Sequence, residues 1–343
     1  MRAPYRIGLL GLGHVGGALA RRLIEDGERV ASAAGRPIIL DAIAVARPQG
    51  RTAPASLVPA DALLKRPHLD AIVELIGGID PALTYICSAL QSGLEVITAN
   101  KQLIAARGPA LAQLGPLRFE ASVASAIPIV ETLAETLAAD RINSLMGILN
   151  GTTNSILDAM AAGADYADAL ADAQRCGLAE ADPSADVDAH DPAAKLAILG
   201  MLGFRRRIEP SQIERVGIRG LDQRQLVAAR ERGFVVKLIA AASMTGPGIE
   251  ADVRPRLIPD DAPLARVAGA MNAISVDAAY AGTLVLQGPG AGPDAAASAV
   301  LADLIRAARG TPASAGALLA SLADQPVATI TPLGLQTPFP AVP

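Results

Sequence analysis

A glycine-rich turn near the N-terminus constrains the fold of this chain more than any other segment. The apolar run from Arg6 to Leu10 leads into Gly11-Leu-Gly-His-Val-Gly16, and residues 18–27 then show helical spacing that stops at Asp-Gly. In Gly-x-Gly-x-x-Gly the first glycine permits a tight turn, the second lets the backbone approach a pyrophosphate, and the third lets the helix pack on the strand. The helix N-terminus adds N–H groups for the phosphates. The segment therefore predicts a dinucleotide-binding turn.

Further strands and helices follow this turn in alternation. We predict strands at residues 38–46, 70–76, 94–99, 117–123 and 142–149, and helices at 81–92, 101–113 and 127–139. Alternation of this kind is typical of a parallel sheet that is covered by helices on both faces. Together with the glycine turn it predicts an α/β fold with a Rossmann-type dinucleotide-binding domain, which we place at residues 1–127.

The second predicted strand ends without the acidic residue that usually holds a ribose 2′-hydroxyl. Arg47 and Arg51 stand there instead. Arginine suits a 2′-phosphate, so this region favours NADP over NAD as the cofactor. The alternative, that both arginines are ordinary surface residues of a loop, remains open.

The pattern changes after Leu149. An alanine-rich segment predicts one long helix over 152–176, and residues 210–287 alternate strands with short helices. This arrangement predicts a second, α+β domain at residues 128–288, built on a mostly antiparallel sheet.

The last part of the chain contains a second glycine-rich turn at 288–292. A helical pattern follows it, and we expect residues at about 289–310 to return and complete the first domain. Residues 311–343 are alanine-rich and then proline-rich without clear periodicity, so we expect a loosely packed tail.

Composition excludes several classes of partner. The chain has 343 residues, a formal net charge of −4 and no block of basic residues. Nucleic acid and membrane surfaces are therefore not expected as partners, and no apolar run reaches the ~18 residues of a membrane span. Cys87 and Cys176 lie far apart and are expected as buried free thiols. The N-terminal glycine spacing differs from a signal peptide, which predicts a cytoplasmic protein.

Residues 177–199 place five acidic residues in front of a single lysine, Lys195. The acids are Glu180, Asp182, Asp186, Asp188 and Asp191. Asp191-Pro192 is a strong helix start with Asp191 as the N-cap, so Asp191 and Lys195 would share one face of the first turn. The helix that follows is nearly apolar all round, which predicts that it is buried with Lys195 at its mouth.

Lysine is scarce in this chain. Of the 30 basic residues only four are lysines, at positions 65, 101, 195 and 237. A partly buried lysine can release its proton near neutral pH, whereas arginine cannot, so Lys195 is a candidate proton donor. Lys101 directly follows a predicted strand, at the carboxyl end where ligands bind in an open α/β sheet. A surface ion pair at Lys195 and an ordinary helix start at Lys101 remain open, and Asp182 and Asp188 fit a turn and a solvent-facing position.

Seven ordered segments resemble those of the homoserine dehydrogenases. They are GLLGLGHVG (8–16), VELIGGIDPA (73–82), VITANKQLIA (96–105), FEASVASAIPI (119–129), GILNGTTNSIL (147–157), GLAEADPSADVDAHDPAAKLAIL (177–199) and GPGAG (288–292). That family reduces L-aspartate 4-semialdehyde to L-homoserine with NAD(P)H, on the pathway to threonine and methionine. The resemblance implies the same reaction here, in a homodimer that pairs through the second, catalytic domain.

By motif position, the resemblance assigns roles to individual residues. Lys195 would be the catalytic lysine that protonates the carbonyl oxygen, with Asp191 beside it and Lys101 on the cofactor and substrate side. Glu180 and Asp186 would lie near the substrate's amino group. The substrate-side turn would consist of Gly151, Thr152 and Thr153. A zwitterionic aldehyde needs carboxylates for its ammonium group and a proton donor for its carbonyl, and the acidic segment supplies both.

The resemblance also implies ligands for a cofactor and an ion. The residues expected at the cofactor are Gly11, Gly13, His14, Val15, Gly16, Arg47, Arg51, Gly77, Lys101 and Gly290. A sodium ion would be held by backbone carbonyls at Glu120, Val123, Ser125 and Ile127.

The chain departs from the family pattern in places. Leu178 stands where an aromatic residue is common, Ser125 and Ala126 where glycines are common, and His14 where a small residue is usual. Because the chain stops at Pro343, we expect the short form that lacks a C-terminal ACT regulatory domain. Two alternatives stay open: a related dehydrogenase of another amino-acid aldehyde or 2-amino acid, and a nucleotide-sensing protein that has lost the chemistry.

Overall fold

The computed structural model describes residues 2–50, 52–246 and 248–334. The chain forms two compact units, of which the first contains residues 1–138 and 292–325 and the second contains residues 139–291 and 326–343.

The helices and strands alternate along most of the chain. The helices are α1 (His14–Glu25), α2 (Gly27–Ala34), α3 (Ala60–Leu64), α4 (Ala82–Gln91), α5 (Lys101–Ala112), α6 (Ile129–Glu131), α7 (Gly151–Ala161), α8 (Tyr166–Arg175), α9 (Ser184–Val187), α10 (His190–Phe204), α11 (Gln223–Glu231), α12 (Pro293–Arg309) and α13 (Ser314–Leu322). The strands are β1 (Tyr5–Leu10), β2 (Ile38–Ala44), β3 (Ser56–Leu57), β4 (Ala71–Glu74), β5 (Glu95–Thr98), β6 (Leu117–Arg118), β7 (Ile142–Ile148), β8 (Glu214–Arg215), β9 (Phe234–Thr245), β10 (Gly248–Pro259), β11 (Met271–Ala278), β12 (Gly282–Pro289) and β13 (Ile330–Thr331). Within the described ranges, no helix combines the length and apolar character that a membrane crossing requires.

The first unit holds a six-stranded parallel sheet with the order β3-β2-β1-β4-β5-β6. β1 pairs with β2 on one side and β4 on the other, so the strand order reverses there. Ile7 and Leu9 of β1 are fully buried in a core with Leu19 of α1 and Leu304 of α12. Ligands of such sheets bind outside the carboxyl ends of the strands, at the reversal. The predicted Rossmann-type fold is confirmed.

The second unit holds a seven-stranded sheet. β12, β11, β7, β9 and β10 are successive antiparallel neighbours, and β8 and β13 each pair with β10 in parallel. Ile148 and Ile239 lie in a core with Leu264 and Ala273. The sheet is therefore mostly antiparallel, as predicted, with parallel pairing at one edge.

The predicted long helix over 152–176 is two helices. α7 ends at Ala161, Gly163 has a φ of 115°, and Asp165 caps α8 by accepting from the Asp168 amide at 2.8 Å. A glycine in this conformation ends a helix, and an aspartate starts the next one. The alanine-rich composition on both sides masked these two signals.

The boundary and the tail differ from their expected positions. α6 and a π-helical turn at Thr132–Thr136 belong to the first unit, which runs to 138 rather than 127. Within the expected tail, α13 packs against α5 and β6. Leu319 of α13 is fully buried, and its packing partners are distant in the chain, so the local pattern could not reveal this helix.

The two cysteines are free thiols, as expected. The expectation that both are buried is wrong, because Cys176 is exposed and Cys87 is partly buried. Cys176 directly follows α8 as its C-cap residue, at the surface of the second unit.

Candidate active site

The glycine turn between β1 and α1 has the geometry that its spacing predicts. Gly11 has a φ of 99°, and a Cβ at this position would lie 2.7 Å from the Leu75 carbonyl oxygen. A Cβ on Gly16 would lie 2.3 Å from the Gly11 carbonyl oxygen, so only glycine lets α1 start this close to the turn. A Cβ on Gly13 would meet no atom within 4 Å. The backbone at Gly13 is therefore open, which is what close approach of a pyrophosphate requires.

A cavity of about 390 Å³ opens beside this turn. It is lined by Leu10, Gly11, Leu12, Gly13, Ala44, Val45, Ala46, Ala60, Leu75, Ile76, Pro81 and Tyr85. The ends of β1, β2 and β4 thus contribute to one concave surface, as expected where a parallel sheet reverses its strand order. His14 and Val15 open α1, Arg47 is exposed just beyond β2, and Arg51 lies outside the described residues. The turn and the cavity fit a dinucleotide.

A buried hydrogen-bond network joins the ends of β4 and β5 in the first unit. The carboxylate of Glu74, which is fully buried, accepts from the amides of Ile76 at 2.7 Å and Gly77 at 3.0 Å, and from the Thr98 hydroxyl at 2.5 Å. Gly77, expected at the cofactor, has a φ of 79° and no neighbouring atom where a Cβ would stand. Glu74 therefore fixes the backbone of this glycine loop.

The same network continues to the start of α5. Asn100 donates from its main-chain amide to the Thr98 hydroxyl at 3.0 Å and from its side chain to the Gly78 carbonyl at 2.5 Å. Its side-chain oxygen caps α5 by accepting from the Leu103 amide at 3.1 Å. Lys101 is the first residue of that helix, at the carboxyl end of β5, as the sequence predicted. Sequence reasoning missed Glu74, Thr98 and Asn100, although a glutamate inside an apolar strand before Gly-Gly was a usable signal.

In the second unit, Asn150 connects the acidic segment to the start of α7. Its side-chain oxygen caps α7 by accepting from the Thr153 amide at 2.9 Å. Its side-chain nitrogen donates to Asp186 Oδ1 at 2.7 Å and to Asp191 Oδ2 at 2.9 Å. Asn150 thus holds two of the predicted carboxylates side by side. Asn150 was not predicted from the sequence, because its only local signal is its position before the helix.

Lys195 lies at the mouth of a buried helix, as predicted. Its Nζ donates to the Leu149 carbonyl at 2.7 Å and lies 2.8 Å from Asp191 Oδ2. The side chains of Lys195 and Asp191 are only 9% and 5% exposed. The predicted i,i+4 pair is therefore present, and it is a buried pair.

The role of Asp191 as the N-cap of this helix was predicted wrongly. α10 begins at His190, and Ala189, with a φ of 64°, is the N-cap. Asp191 lies inside the first turn, where its carboxylate contacts Asn150 and Lys195. The local sequence predicted the contact with Lys195, but it could not show Asn150, which lies 41 residues away.

Asp186 lies beside this pair on α9. Burial raises the pKa of its carboxyl group, hydrogen bonds from Asn150 and Thr152 lower it, and the charge of Asp191 raises it further. The net direction is upward. Two neighbouring carboxylates in a low-dielectric pocket favour a cation between or beside them.

The remaining substrate-side candidates occupy different environments. Gly151 leaves no room for a side chain, because a Cβ would lie 2.6 Å from the Ala270 carbonyl oxygen. Thr152 donates to the Leu178 carbonyl at 2.8 Å, and Thr153 donates to Asn150. Glu180 lies exposed at the surface of the second unit, where its main-chain carbonyl accepts from Gln174. The structure thus brings Gly151, Thr152 and Thr153 to the start of α7, whereas Glu180 is exposed.

Gly290 of the second glycine turn lies against a buried asparagine. A Cβ there would be 2.1 Å from Asn272 Oδ1, so this position excludes every other residue unless Asn272 moves. The Gly290 amide donates to the Ala270 carbonyl at 3.3 Å. Gly290 thus ties the turn to the segment that also abuts Gly151.

The loop expected to hold sodium lies in the first unit. Ala124 and Ser125 have φ values of 53° and 54°, a conformation that glycine adopts readily. Of the two positions where the family commonly has glycine, 125 and 126, only position 125 has this conformation. The Ser125 hydroxyl is buried without a hydrogen-bond partner among the described residues. Within those residues, no three His, Cys, Asp or Glu side chains are grouped to hold a metal ion.

The Glu120 carboxylate of this loop is hydrogen-bonded to main-chain amides of α6 and to Arg306. It accepts from the amides of Val130 at 2.9 Å and Glu131 at 3.1 Å. Burial, followed by the charge of Asp303, raises the pKa of Glu120 to about 7. A sodium ion at Glu120 would therefore contact the main-chain carbonyl, as it would at Val123 and Ile127.

Asp182 and Asp188 keep their structural interpretation. Asp182 is exposed and accepts from the hydroxyl and amide of Ser184 at 2.5 and 3.1 Å. Asp188 pairs with Arg219, with Nε to Oδ1 at 2.6 Å and Nη2 to Oδ2 at 3.1 Å. These partners hold the pKa values of Asp182 and Asp188 below their ordinary range.

Comparison with known proteins shows to which family the chain belongs. The profile described as homoserine dehydrogenase matches residues 128–305, and the profile for the homoserine dehydrogenase NAD-binding domain matches residues 11–116. Homoserine dehydrogenase of Corynebacterium glutamicum is 44% identical over 318 residues, which are 88% of this chain and 72% of that protein.

Solved structures agree with these matches. A homoserine dehydrogenase from Thiobacillus denitrificans superimposes with a TM-score of 0.90 at 37% identity, covering 96% of this chain and 80% of that one. A hyperthermophilic archaeal homoserine dehydrogenase in complex with NADPH gives a TM-score of 0.72 at 26% identity, covering 90% and 99%. These matches favour the predicted family over the two alternatives. The chain therefore belongs to the homoserine dehydrogenases, oxidoreductases that act on the CH–OH group of homoserine with a nicotinamide dinucleotide.

Proposed function

We propose that Lys195 is the general acid–base of the homoserine dehydrogenase reaction in this chain. The observation that carries the proposal is the buried Nζ, held 2.7 Å from the Leu149 carbonyl and 2.8 Å from Asp191 Oδ2. NAD(P)H supplies the hydride for the aldehyde carbon of L-aspartate 4-semialdehyde when it is bound. Lys195 gives its proton to the carbonyl oxygen, which becomes the hydroxyl of L-homoserine, and takes the proton back in the oxidative direction.

Asp191 compensates the charge of Lys195 while the amine is protonated. Because both side chains are buried, loss of the carboxylate would disfavour the ammonium form of Lys195. Asn150 donates to Asp191 and so fixes the carboxylate toward Lys195. Lys101 is proposed to act on the cofactor and substrate side.

Asp186 is the acid that we assign to the substrate's ammonium group. Its carboxylate is partly buried and shares the Asn150 amide with Asp191, so its position relative to the reacting end is defined. The turn Gly151, Thr152 and Thr153 is proposed to line the substrate side. Glu180, although exposed, is proposed as a second carboxylate at the amino end. An Asp186→Asn variant whose Michaelis constant for homoserine stays unchanged would contradict the assignment of Asp186.

The alanine variant of Lys195 tests the central assignment. We expect kcat for NADPH-dependent reduction of aspartate semialdehyde to fall by ~10²–10⁴, the usual contribution of a general acid. NADPH should still bind, as measured by its fluorescence. Lys65→Ala is the matched control, because Lys65 is an exposed lysine at the end of α3. Full turnover in Lys195→Ala would refute the role of Lys195, whereas an inactive wild type would refute the proposed function itself.

We propose NADP as the preferred cofactor. Arg47 stands exposed just beyond β2. A 2′-phosphate would be recognised at this position, and the acid that suits a 2′-hydroxyl is missing there. Comparing kcat/KM for NADPH and NADH in the wild type and in Arg47→Ala checks this proposal. A preference for NADPH that Arg47→Ala leaves intact would remove Arg47 from the proposal.

A sodium ion at the 120–127 loop is also proposed. The buried Ser125 hydroxyl, which has no hydrogen-bond partner among the described residues, supports it, since a hard cation prefers oxygen ligands. The residues proposed to hold the ion are Glu120, Val123, Ser125 and Ile127. Thermal midpoints in sodium chloride and in choline chloride at equal ionic strength provide a readout that is separate from activity. Equal midpoints would count against the site.

We propose that the chain works as a cytoplasmic homodimer on a small-molecule substrate. The open edge of the second sheet supports the dimer, because β12 pairs with β11 alone among the described strands and Val285 on it is 45% exposed. Light scattering should give twice the mass of the 34.9 kDa chain. A monomer at catalytic concentrations would contradict this assembly.

A further inference from the structure

Asp186 stands on a very short helix. α9 contains only Ser184–Val187, and an exposed stretch at residues 180–182 precedes it. Four residues form about one turn and are not stable on their own. Contacts from elsewhere in the second unit must therefore fix the position of Asp186.

Residues 216–219, here termed the brace, supply these contacts. The Ile218 amide donates to the Val187 carbonyl at 2.9 Å, at the C-terminal end of α9. Arg219 forms its two-pronged ion pair with Asp188 and also donates to the Ser184 hydroxyl at 3.2 Å. The brace thus binds both ends of α9.

The brace is itself anchored to the sheet of the second unit. The Val216 amide donates to the Val253 carbonyl at 2.8 Å, and β8, directly before it, pairs with β10. The backbone of Gly217 packs directly against the end of α9. A Cβ on Gly217 would lie 2.2 Å from the Val187 carbonyl oxygen and 2.9 Å from the Asp188 Cα. Since both neighbours are backbone atoms, α9 would have to move to admit a side chain.

We propose that the brace is a positioning element that sets Asp186 for the ammonium group of the substrate. Asp186 and Asp191 share the Asn150 amide, at 2.7 and 2.9 Å. A shift of α9 would move Asp186 away from this amide and leave the contacts of Lys195 with Asp191 and Leu149 in place. The brace therefore governs recognition of the amino end, and proton transfer is independent of it. This inference rests on the proposed function.

Two glycine variants of the same loop test the inference. Gly217→Ala should raise KM for L-homoserine about tenfold, the cost of weakening one charge-assisted hydrogen bond, with kcat and KM for NADP⁺ unchanged. The inhibition constant of 4-hydroxybutanoate, which is homoserine without its amino group, should not change. Gly220→Ala is the matched control, because a Cβ at Gly220 meets no atom within 4 Å.

A second pair of variants keeps the inference testable if Gly217→Ala does not fold. Arg219→Gln should raise KM for homoserine about two- to fivefold, the range for an exposed ion pair. Arg224→Gln is its control, since Arg224 of α11 forms a comparable exposed pair with Asp222, the N-cap of that helix. Parallel loss of homoserine and 4-hydroxybutanoate binding, or equal effects of variant and control, would overturn the inference. Failure of the wild type to oxidise homoserine would instead refute the proposed function.

Discussion

Ser125 adopts a backbone conformation that its side chain disfavours. Its φ of 54° follows a φ of 53° at Ala124, so two successive residues with a Cβ occupy the left-handed region. The conformation costs an L-residue about 1–2 kcal/mol relative to the right-handed helical region. The surrounding loop therefore holds Ser125 against its intrinsic preference.

Replacing Ser125 by glycine should raise the thermal stability of the protein. We expect a gain of about 0.5–1 kcal/mol, because glycine relieves the strain but loses more chain entropy on folding. Ala126→Gly is the matched control and should destabilise by a similar amount, since the φ of Ala126 is not positive. Differential scanning calorimetry measures both variants, and shifts of the same sign would contradict this interpretation.

Two of the four lysines, Lys195 and Lys237, are buried, and they have different roles. Lys195 pairs with Asp191, and we propose that it is retained as the proton donor of the reaction. Lys237 is 3% exposed, and its Nζ donates to Asn154 Oδ1 at 2.9 Å, Asp158 Oδ1 at 2.7 Å and the Val267 carbonyl at 2.7 Å. Three acceptors around one ammonium group suit a structural role, because they satisfy all three of its donors.

At the scale of elements, α13 shows how far backbone contact can govern packing. A Cβ on Gly316 would lie 2.3 Å from the Leu117 carbonyl oxygen of β6, and a Cβ on Gly108 of α5 would lie 2.9 Å from Leu319. Glycines on both helices thus let α13 approach the sheet edge and α5 closely. A side chain at Gly316 would push α13 away from β6.

The same substitution in two helices should have opposite effects. Gly316→Ala should destabilise by about 1–3 kcal/mol, the usual cost of overpacking against a rigid neighbour. Gly17→Ala in α1 should instead stabilise by about 0.5–1 kcal/mol, the difference in helix propensity. A Cβ at Gly17 meets no atom within 4 Å. Chemical denaturation measures both changes, and a neutral Gly316→Ala would show that α13 can move freely.

At the scale of the whole molecule, three buried acids in the first unit couple its stability to pH. Glu120, Glu131 and Asp303 surround Arg306, whose Nη2 lies 2.7 Å from Asp303 Oδ1 and 3.3 Å from Glu120 Oε2. Burial is the main cause that raises the pKa of Glu120 and of Glu131 to about 7, and it also raises the pKa of Asp303. Arg306 and Arg118 both lower the pKa values of Glu131 and Asp303, but the effect of burial is larger.

Stability should therefore fall as pH rises through this range. A group with a raised folded-state pKa keeps its proton in the folded state after the unfolded chain has lost it. Its contribution is complete below the ordinary value of 4.5 and disappears as pH approaches about 7. The unfolding free energy falls by about 1.4 kcal/mol per pH unit for each additional proton that the folded state holds.

Unfolding measured from about pH 5 to about pH 7.5 checks this dependence. Glu131→Gln should flatten the profile and raise stability at the upper end, because the amide stays neutral. Glu28→Gln, at an exposed position in α2, is the control and should leave the profile unchanged. A wild-type stability that rises across this interval would contradict the sign of the effect.

Local spacing determined much of the site without any structure. The glycine turn requires positions 11, 13 and 16 in a strand–turn–helix unit, and the structure gives each of them the expected environment. The pairing of Asp191 with Lys195 follows from one turn of helix, since residues four apart share a face. Seven ordered motifs were also sufficient to identify the family.

Tertiary structure decided the contacts between residues that are distant in the chain. Asn150 joins Asp186 and Asp191, which lie 36 and 41 residues away, and Lys195 reaches the Leu149 carbonyl 46 residues away. The Glu74 network, the burial of α13 and the parallel pairing at one edge of the second sheet are of the same kind. Helix and turn preferences act over a few residues and can be read from the sequence. Packing and shared hydrogen bonds act between whichever segments the fold brings together, and only the three-dimensional structure specifies those.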